Sequence, residues 1–293
     1  MSEKVNKIVT EKIVELLESG TVPWQKPWST SRGGRPQNFI TKRPYRGINA
    51  LITSPLVSGF DCSYWLTAKQ LNKMGFKLSE GERYTPIVFW GHGEKVEGGE
   101  KKRFGFTRFY KIFNRNQIEN HETIWPKEKE ESVPPEDWDK NAMDIVARYE
   151  EDGGPVTKHG YNGASYSPTL DIIKMPSPER FSLRGEYWST RFHEAVHSTG
   201  HTTRLNRKEG MKSLFGDHAY SEEELVAEMG NCFLLADIGV PEETLDKCFN
   251  NSAGYIEHWL GKLKSDRKFL MQAAQRAEKA CDCIRGTTYE KQA

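Results

Sequence analysis

Several features that would place this sequence in a class at once are missing. No CxxC pair occurs and the five cysteines are scattered, so a cysteine-ligated zinc site is not expected. No stretch reaches the roughly 20 apolar residues that a membrane-spanning helix needs, and the N-terminus lacks the apolar segment of a signal peptide. We therefore expect a cytoplasmic protein with unpaired cysteines and no membrane partner.

Acidic residues are absent from residues 21–60, although Lys and Arg (42) and Asp and Glu (41) balance over the whole chain. The stretch from Lys101 to Gln117 is also free of acids. Both stretches combine basic with aromatic residues. Cations attract phosphates and flat rings stack on unpaired bases, so the first half is predicted to bind single-stranded DNA. The candidate contact residues are Trp24, Lys26, Trp28, Arg32, Arg35, Lys42, Arg43, Tyr45, Arg46, Asn49, Trp65 and Lys69.

An alternative for each of these aromatic residues is a place in the hydrophobic core, with the basic side chains merely solvated. For residues 104–113, which are predicted to form a strand rich in aromatic and β-branched residues, the core is the favoured interpretation. For residues 21–49 the core is the weaker interpretation, because a loop rich in proline and glycine buries little surface of its own.

The chain divides where its composition changes. Residues 119–140 are acidic, contain proline and lack helical or strand periodicity, which is typical of a linker. We predict a DNA-binding domain at 1–120, an acidic linker at 121–139 and a second domain at 140–293. Periodicity predicts helices at 3–18, 64–75 and 221–237 and strands at 83–93 and 104–114, with a hairpin-like loop between the two strands. The fold class is therefore α+β in both domains.

The segment "HEAVH" carries the clearest chemistry. His193 and His197 are one helical turn apart, so both imidazoles project from one face and can bind one tetrahedral Zn²⁺. Glu194 follows the first histidine, where it can reach a zinc-bound water and act as general base without being a ligand. The spacing predicts a zinc peptidase site, and an ordinary polar helix surface is the alternative.

A third ligand has to come from elsewhere. Thr203 stands where the HExxHxxGxxH pattern requires a histidine, which excludes that class. Glu224 and Glu228 lie one turn apart on the next strongly helical segment. We predict Glu224 as the third ligand and Glu228 as the partner that orients a ligating histidine. The alternatives are a capping box formed by Ser221 and Glu224, and a solvated surface position for Glu228.

An ordered set of motifs resembles the ArdC-type antirestriction proteins, in which a single-stranded-DNA-binding domain precedes a zincin-like metallopeptidase domain. The resemblance covers nearly the whole chain. It implies a zincin-like second domain of the gluzincin type, with zinc as cofactor. It also implies that the chain protects incoming plasmid or phage DNA from host restriction. The motifs are "SGTVPWQKPW", "KRPYRGINALIT", "YWLTAKQLNKMGFKLSEGERYTPIVFW", "RFYKIFNRNQIE", "YSPTLDIIKMPSPERF", "HEAVHSTGH" and "EELVAEMG".

We therefore expect an antirestriction-type protein of a mobile element that binds single-stranded DNA and hydrolyses a protein or peptide. Two alternatives stay open. One is a DNA-protecting protein whose zinc site is structural or idle, and the other is a plain zinc peptidase whose basic segment binds an acidic protein.

Overall fold

The computed structural model describes residues 2–28, 34–97, 100–124, 137–207, 218–249, 253–266 and 268–287. Within these ranges the chain mixes helices and sheets, which confirms the predicted α+β class. The helices are α1 Ser2–Glu18, α2 Ile48–Ile52, α3 Pro55–Ser58, α4 Ala68–Met74, α5 His121–Ile124, α6 Trp138–Glu151, α7 Arg184–Ser198, α8 His218–Ile238, α9 Glu242–Cys248, α10 Ala253–Ser265 and α11 Phe269–Ile284. The strands are β1 Gln37–Asn38, β2 Tyr64–Thr67, β3 Thr85–Glu97, β4 Glu100–Asn114, β5 Val156–His159, β6 Ser165–Ser167 and β7 Ile172–Met175.

The first half is organised around a four-stranded sheet in the order β1-β2-β4-β3. Strands β3 and β4 form a long antiparallel hairpin, whereas β2 pairs with β4 only from Ile112 to Asn114. The two hairpin strands therefore extend well beyond the rest of the sheet.

Two details of the first half differ from the sequence-based expectation. Residues 64–75 were predicted to be one helix, but Tyr64–Thr67 is a strand and only Ala68–Met74 is helical. The aromatic and β-branched residues of this strand suit a pleated surface, and the Thr67 side chain then forms a capping box with Gln70. The residues between the predicted strands also pair, up to Glu97 and from Glu100 onward, so the expected loop is mostly strand.

The second half places a three-stranded sheet, in the order β5-β7-β6, against helix α7. Helices α8 and α11 pack on each other and on α7. Both ends of the predicted linker are helical, because α5 lies at its start and α6 begins at Trp138; residues 125–136 lie outside the described ranges. The domain division itself stays a prediction. In the described part of the chain, no helix is long and apolar enough to span a bilayer.

The two halves share one hydrophobic core. Ile13, Leu17 and Trp24 from the first half belong to the same cluster of buried side chains as Phe233 and Trp259 from the second. Helix α1 packs on α10, and α2 packs on α11. Burying these apolar faces against each other stabilises the fold, so the first half obtains much of its core from residues far along the chain.

A cluster of charged side chains also connects the first half to the second. Arg35 donates from Nη1 to Oε1 of Glu278 at 2.7 Å, and the Gly47 amide donates to Oε2 of Glu278 at 2.8 Å. Arg46 pairs with Asp282 on the same helix, α11. Burial raises the pKa of Glu278, but the positive charges of Arg35 and Arg46 outweigh it and leave that pKa below its usual value. The basic residues of the first half thus neutralise acids of the second.

Candidate functional site

Helices α7 and α8 bring together the three predicted metal ligands. His193 and His197 lie on one face of α7, and their Nε2 atoms are 3.0 Å apart. Glu224 on α8 faces them, with its carboxylate oxygens 3.6 Å from His193 Nε2 and 3.5 Å from His197 Nε2. Helix α8 begins at His218, before Ser221, so Ser221 does not precede the first turn and the capping-box alternative is wrong.

The spacing of these atoms fits a metal ion. A tetrahedral ion with bonds of about 2.0–2.2 Å holds its ligand atoms roughly 3.3–3.5 Å apart, close to the three distances seen here. Two imidazoles and one carboxylate form a borderline donor set that suits zinc and related divalent metals. Burial lowers the pKa of His193, but Glu224 and Glu194 outweigh it and raise that pKa. The site is therefore electronegative, as a cation requires.

The carboxylate that supports a histidine is Glu223, which the sequence analysis missed. Its Oε1 lies 3.6 Å from His197 Nδ1, and Arg207 donates to both of its oxygens at 2.7 and 3.0 Å. Burial raises the pKa of Glu223, but His197 and Arg207 outweigh it and lower that pKa, so an anion faces the imidazole. The run Glu222–Glu224 signalled a carboxylate cluster, but only packing shows which one faces His197.

The prediction that Glu228 orients a ligating histidine is wrong. Its carboxylate accepts hydrogen bonds from the Tyr255 hydroxyl and, at 3.4 Å, from Trp24 Nε1. Burial raises the pKa of Glu228 to about 7, since these two donors and His193 offset only part of the lost hydration. A cavity of about 310 Å³ lies beside this group and extends to His193, with Gln25 of the first half in its wall.

Glu194 is oriented by the neighbouring sheet. The backbone N–H of Tyr166, on β6, donates to Oε2 of Glu194 at 2.7 Å. Strand β6 is held in turn because the Tyr166 hydroxyl donates to Asp171 at 2.6 Å and Arg204 bonds both residues. The Glu194 carboxylate, which is predicted to accept a proton, is therefore held in one orientation. The donor is a backbone amide, so no side-chain motif in the sequence predicts it.

Three of the predicted DNA-contact residues belong to the interior. Trp24 and Trp65 are fully buried, and Trp28 packs on Phe233 with ring centroids 5.2 Å apart. Asn49 donates to the carbonyl of Val88 and accepts from its amide. A buried ring offers no face to a base, so the predicted contacts are wrong for Trp24, Trp28 and Trp65. Asn49, Arg35 and Arg46 are partly buried and bonded within the protein, and their DNA contacts stay predictions.

The remaining candidates are more accessible. Lys42 is exposed, and its Nζ lies 4.3 Å from the ring centroids of both Phe39 and Tyr64. Arg43 and Lys69 are also exposed.

Lys26 and Tyr45 are less accessible. Lys26 pairs with Asp246, and Tyr45 is half-buried against the core, which raises its pKa to about 12. The DNA contacts of these remaining candidates stay predictions, and Arg32 lies outside the described residues.

The aromatic residues of 104–113 depart from expectation in the opposite direction. They were expected to form core, yet Phe104 and Tyr110 are exposed on the hairpin, whereas Phe109 and Phe113 pack against buried apolar residues. The hairpin extends beyond the sheet, so one of its faces meets no core among the residues that the structure describes.

Two family models match the chain and together cover most of it. Residues 3–132 match the N-terminal domain of the anti-restriction factor ArdC, and residues 146–276 match a zincin-like metallopeptidase.

Similar proteins and structures extend these matches. A DNA primase TraC of Escherichia coli is 30% identical over 94% of this chain, but the match spans only 26% of that protein. The uncharacterized protein y4eC of Sinorhizobium fredii is 27% identical over 94% of this chain and 89% of its own length. The crystal structure of the antirestriction ArdC protein from plasmid R388 is 30% identical, with a TM-score of 0.71 for the metal-free form over 97% of this chain and 99% of that one. A Mn(II)-bound form has a TM-score of 0.72 over 96% of this chain and 97% of that one.

Proposed function

Because the chain belongs to the ArdC family of antirestriction proteins, we propose that it binds single-stranded DNA and hydrolyses peptide bonds at a divalent metal centre. The observation that carries the peptidase half is the triad of His193, His197 and Glu224 beside an oriented Glu194. The match to the ArdC N-terminal domain and the basic, aromatic first half carry the DNA half. The role that follows is to protect incoming DNA from host restriction.

The residues of the second half divide the work of the hydrolysis. His193, His197 and Glu224 would hold the metal, which when bound supplies Lewis-acid chemistry to a scissile carbonyl. Glu194, held by the Tyr166 amide, takes a proton from the attacking water and returns it to the leaving amine. Zinc is the proposed metal because this donor set is common in zinc hydrolases. Manganese should be tested beside it, because a crystal structure of the R388 protein is Mn(II)-bound.

We expect the full chain to bind a single-stranded oligonucleotide more tightly than a duplex of the same length. Only unpaired bases present faces for stacking, and a duplex hides them. The affinity should fall as salt is raised, because phosphate contacts release counterions. Fluorescence anisotropy with labelled oligonucleotides over a salt series measures both effects. Equal affinity for the duplex would contradict the single-strand proposal.

Glu194→Gln is expected to remove peptide hydrolysis while leaving metal binding and DNA binding in place. Glutamine fills the same space and accepts the Tyr166 hydrogen bond, but it cannot accept a proton, and loss of a general base typically costs about 100-fold or more. The measurement is hydrolysis of an unfolded protein such as casein, with metal content determined after loading with zinc or manganese.

The matched control for Glu194→Gln is Glu186→Gln on the same helix, which changes a carboxylate at the other end of α7. A Glu194→Gln protein that cleaves as fast as the unchanged protein would exclude Glu194 as the base. Loss of metal from this variant would instead make Glu194 a ligand. A metal-loaded protein that shows no cleavage of any unfolded substrate would favour the idle-site alternative.

A further inference from the structure

A cluster of exposed aromatic side chains lies on one face of the β3–β4 hairpin. Phe89 is 47% exposed, and Phe104 and Tyr110 are each 43% exposed. Phe106 lies between them, with its ring centroid 6.5 Å from Phe89 and 6.3 Å from Phe104. Clustered exposed aromatic side chains of this kind mark binding surfaces more often than isolated ones do. We call Phe89, Phe104, Phe106 and Tyr110 the hairpin platform.

Two glycines shape the platform. Gly91 pairs with Phe106 across the hairpin, and Gly93 pairs with Phe104. A Cβ atom at Gly91 would lie 2.4 Å from the Phe106 ring, and one at Gly93 would lie 2.8 Å from the Phe104 ring. The far end of each ring therefore lies over a glycine of the opposite strand, in space that the Cβ of any other residue would fill. Glycine at both positions thus leaves room for the two rings on this face of the hairpin.

The charge around the platform is that of a polyanion site. Arg108 stands between Phe106 and Tyr110 on β4, with its guanidinium carbon 4.7 Å from the Phe106 ring centroid. Between Glu100 and Asn114 the strand has five basic residues and no acid. The acids on the facing strand are paired with lysines, Glu97 with Lys95 and Glu94 with Lys101. A cation beside exposed rings suits a partner that has both phosphates and flat apolar faces.

The ring spacing favours a single strand over a duplex. Neighbouring ring centroids are 6.1 to 6.5 Å apart, nearly twice the roughly 3.4 Å per base of a duplex strand. An extended, unpaired strand can place a separate base on each ring, as sheet-face aromatic residues do in other single-strand binders.

We infer that the hairpin platform, with Arg108, is the base-stacking surface on which this protein binds single-stranded DNA. The inference rests on the proposed DNA binding. It assigns base stacking to the hairpin platform instead of to Trp24 and Trp28. Each base that stacks on a ring adds to the affinity for DNA. Arg108 pairs with the phosphate backbone between the stacked bases.

The test uses the full chain and a fluorescein-labelled oligothymidine. Phe89→Leu and Phe106→Leu keep apolar bulk but remove the aromatic face, so each should weaken binding roughly 5- to 150-fold for the base that loses its stack. Phe106→Trp should retain binding, since a larger ring still stacks. The salt slope should stay constant in the leucine variants and should decrease by roughly 0.7 in Arg108→Gln, which removes one phosphate contact.

Tyr161→Leu is the matched control. Its ring is also exposed and also has a lysine nearby, with Lys174 Nζ 5.5 Å from the ring centroid, but it lies in the second half. Its substitution should leave DNA affinity unchanged. Thermal melts of every variant check that the fold is retained, as the exposure of Phe89 and Tyr161 predicts for their variants.

The possible outcomes distinguish failure of this inference from failure of the proposed function. If the unchanged protein prefers single strands and the leucine variants bind equally well, the platform is overturned while DNA binding stands. If the unchanged protein shows no such preference, the DNA half of the proposed function fails and the platform inference fails with it. Unchanged DNA affinity with an altered oligomeric state would assign the face to a second copy of the chain and would also overturn the inference.

Discussion

Glu224→Ala is expected to remove nearly all bound metal from the protein. Glu224 is the only carboxylate that approaches both His193 Nε2 and His197 Nε2 among the described residues, at 3.6 and 3.5 Å. Without it, two imidazoles are left to hold an ion that takes at least three protein ligands in hydrolytic sites. Titration of the metal-free protein with zinc and with manganese, followed by calorimetry, measures the loss.

Variants of two neighbouring glutamates serve as comparisons for Glu224→Ala. Glu223→Gln should weaken metal affinity by about 10–100-fold, because it removes the charged partner of His197 without removing a ligand. Glu228→Gln should change metal affinity least, since the Glu228 carboxylate is bonded to Tyr255 and Trp24. Thermal melts in excess chelator separate loss of metal from loss of fold. Full occupancy in Glu224→Ala would exclude Glu224 as the third ligand.

Trp24→Ala is expected to destabilise the protein by about 3–5 kcal/mol, the usual cost of removing a large buried ring. That loss is a large share of the roughly 5–15 kcal/mol that stabilises a typical domain. Trp24 is fully buried, and its ring meets the Trp259 ring edge-on with centroids 6.3 Å apart. The alanine variant would leave a cavity at the junction of the two halves. Urea denaturation monitored by circular dichroism measures the change.

Two comparisons show whether the Trp24 effect comes from packing. Trp24→Phe keeps an aromatic ring at this position but loses part of its volume and the donor to Glu228, so its cost should be clearly smaller than that of Trp24→Ala. Tyr84→Ala removes an exposed ring of the same half and should change stability by no more than about 0.5 kcal/mol. If Trp24→Ala kept full stability and lost only DNA affinity, Trp24 would be a base contact after all.

The metal-site histidines illustrate what local sequence is able to predict. Helical geometry repeats at a constant interval, so His193 and His197 share a face wherever α7 lies in the fold. Glu194 directly follows His193, so its position beside the first ligand is also determined by local sequence. The third position is harder, because Glu222, Glu223, Glu224 and Glu228 all lie on one helix. Only the packing of α8 on α7 decides that Glu224 faces the histidines, Glu223 supports His197 and Glu228 points to Tyr255.

The aromatic residues show the opposite case. Composition correctly marked the first half as basic and aromatic, but it did not show which of its rings are buried. Trp24 and Trp28 lie in a loop with little core of its own, and they are buried because α8 and α10, more than 200 residues later, supply apolar partners. Phe89 and Phe104 lie in strands rich in aromatic residues, yet among the described residues no third strand reaches their part of the hairpin.

The sequence by itself determined the α+β class, the family, the helix with the two histidines and the excess of positive charge in the first half. Each of these depends on residue type and on spacing within a single element. The tertiary structure alone decided which carboxylate meets the histidines, that the two halves share a core, and which aromatic rings stay exposed. The reason is physical: burial depends on the surfaces that meet in space, and those surfaces come from segments that are far apart in the chain.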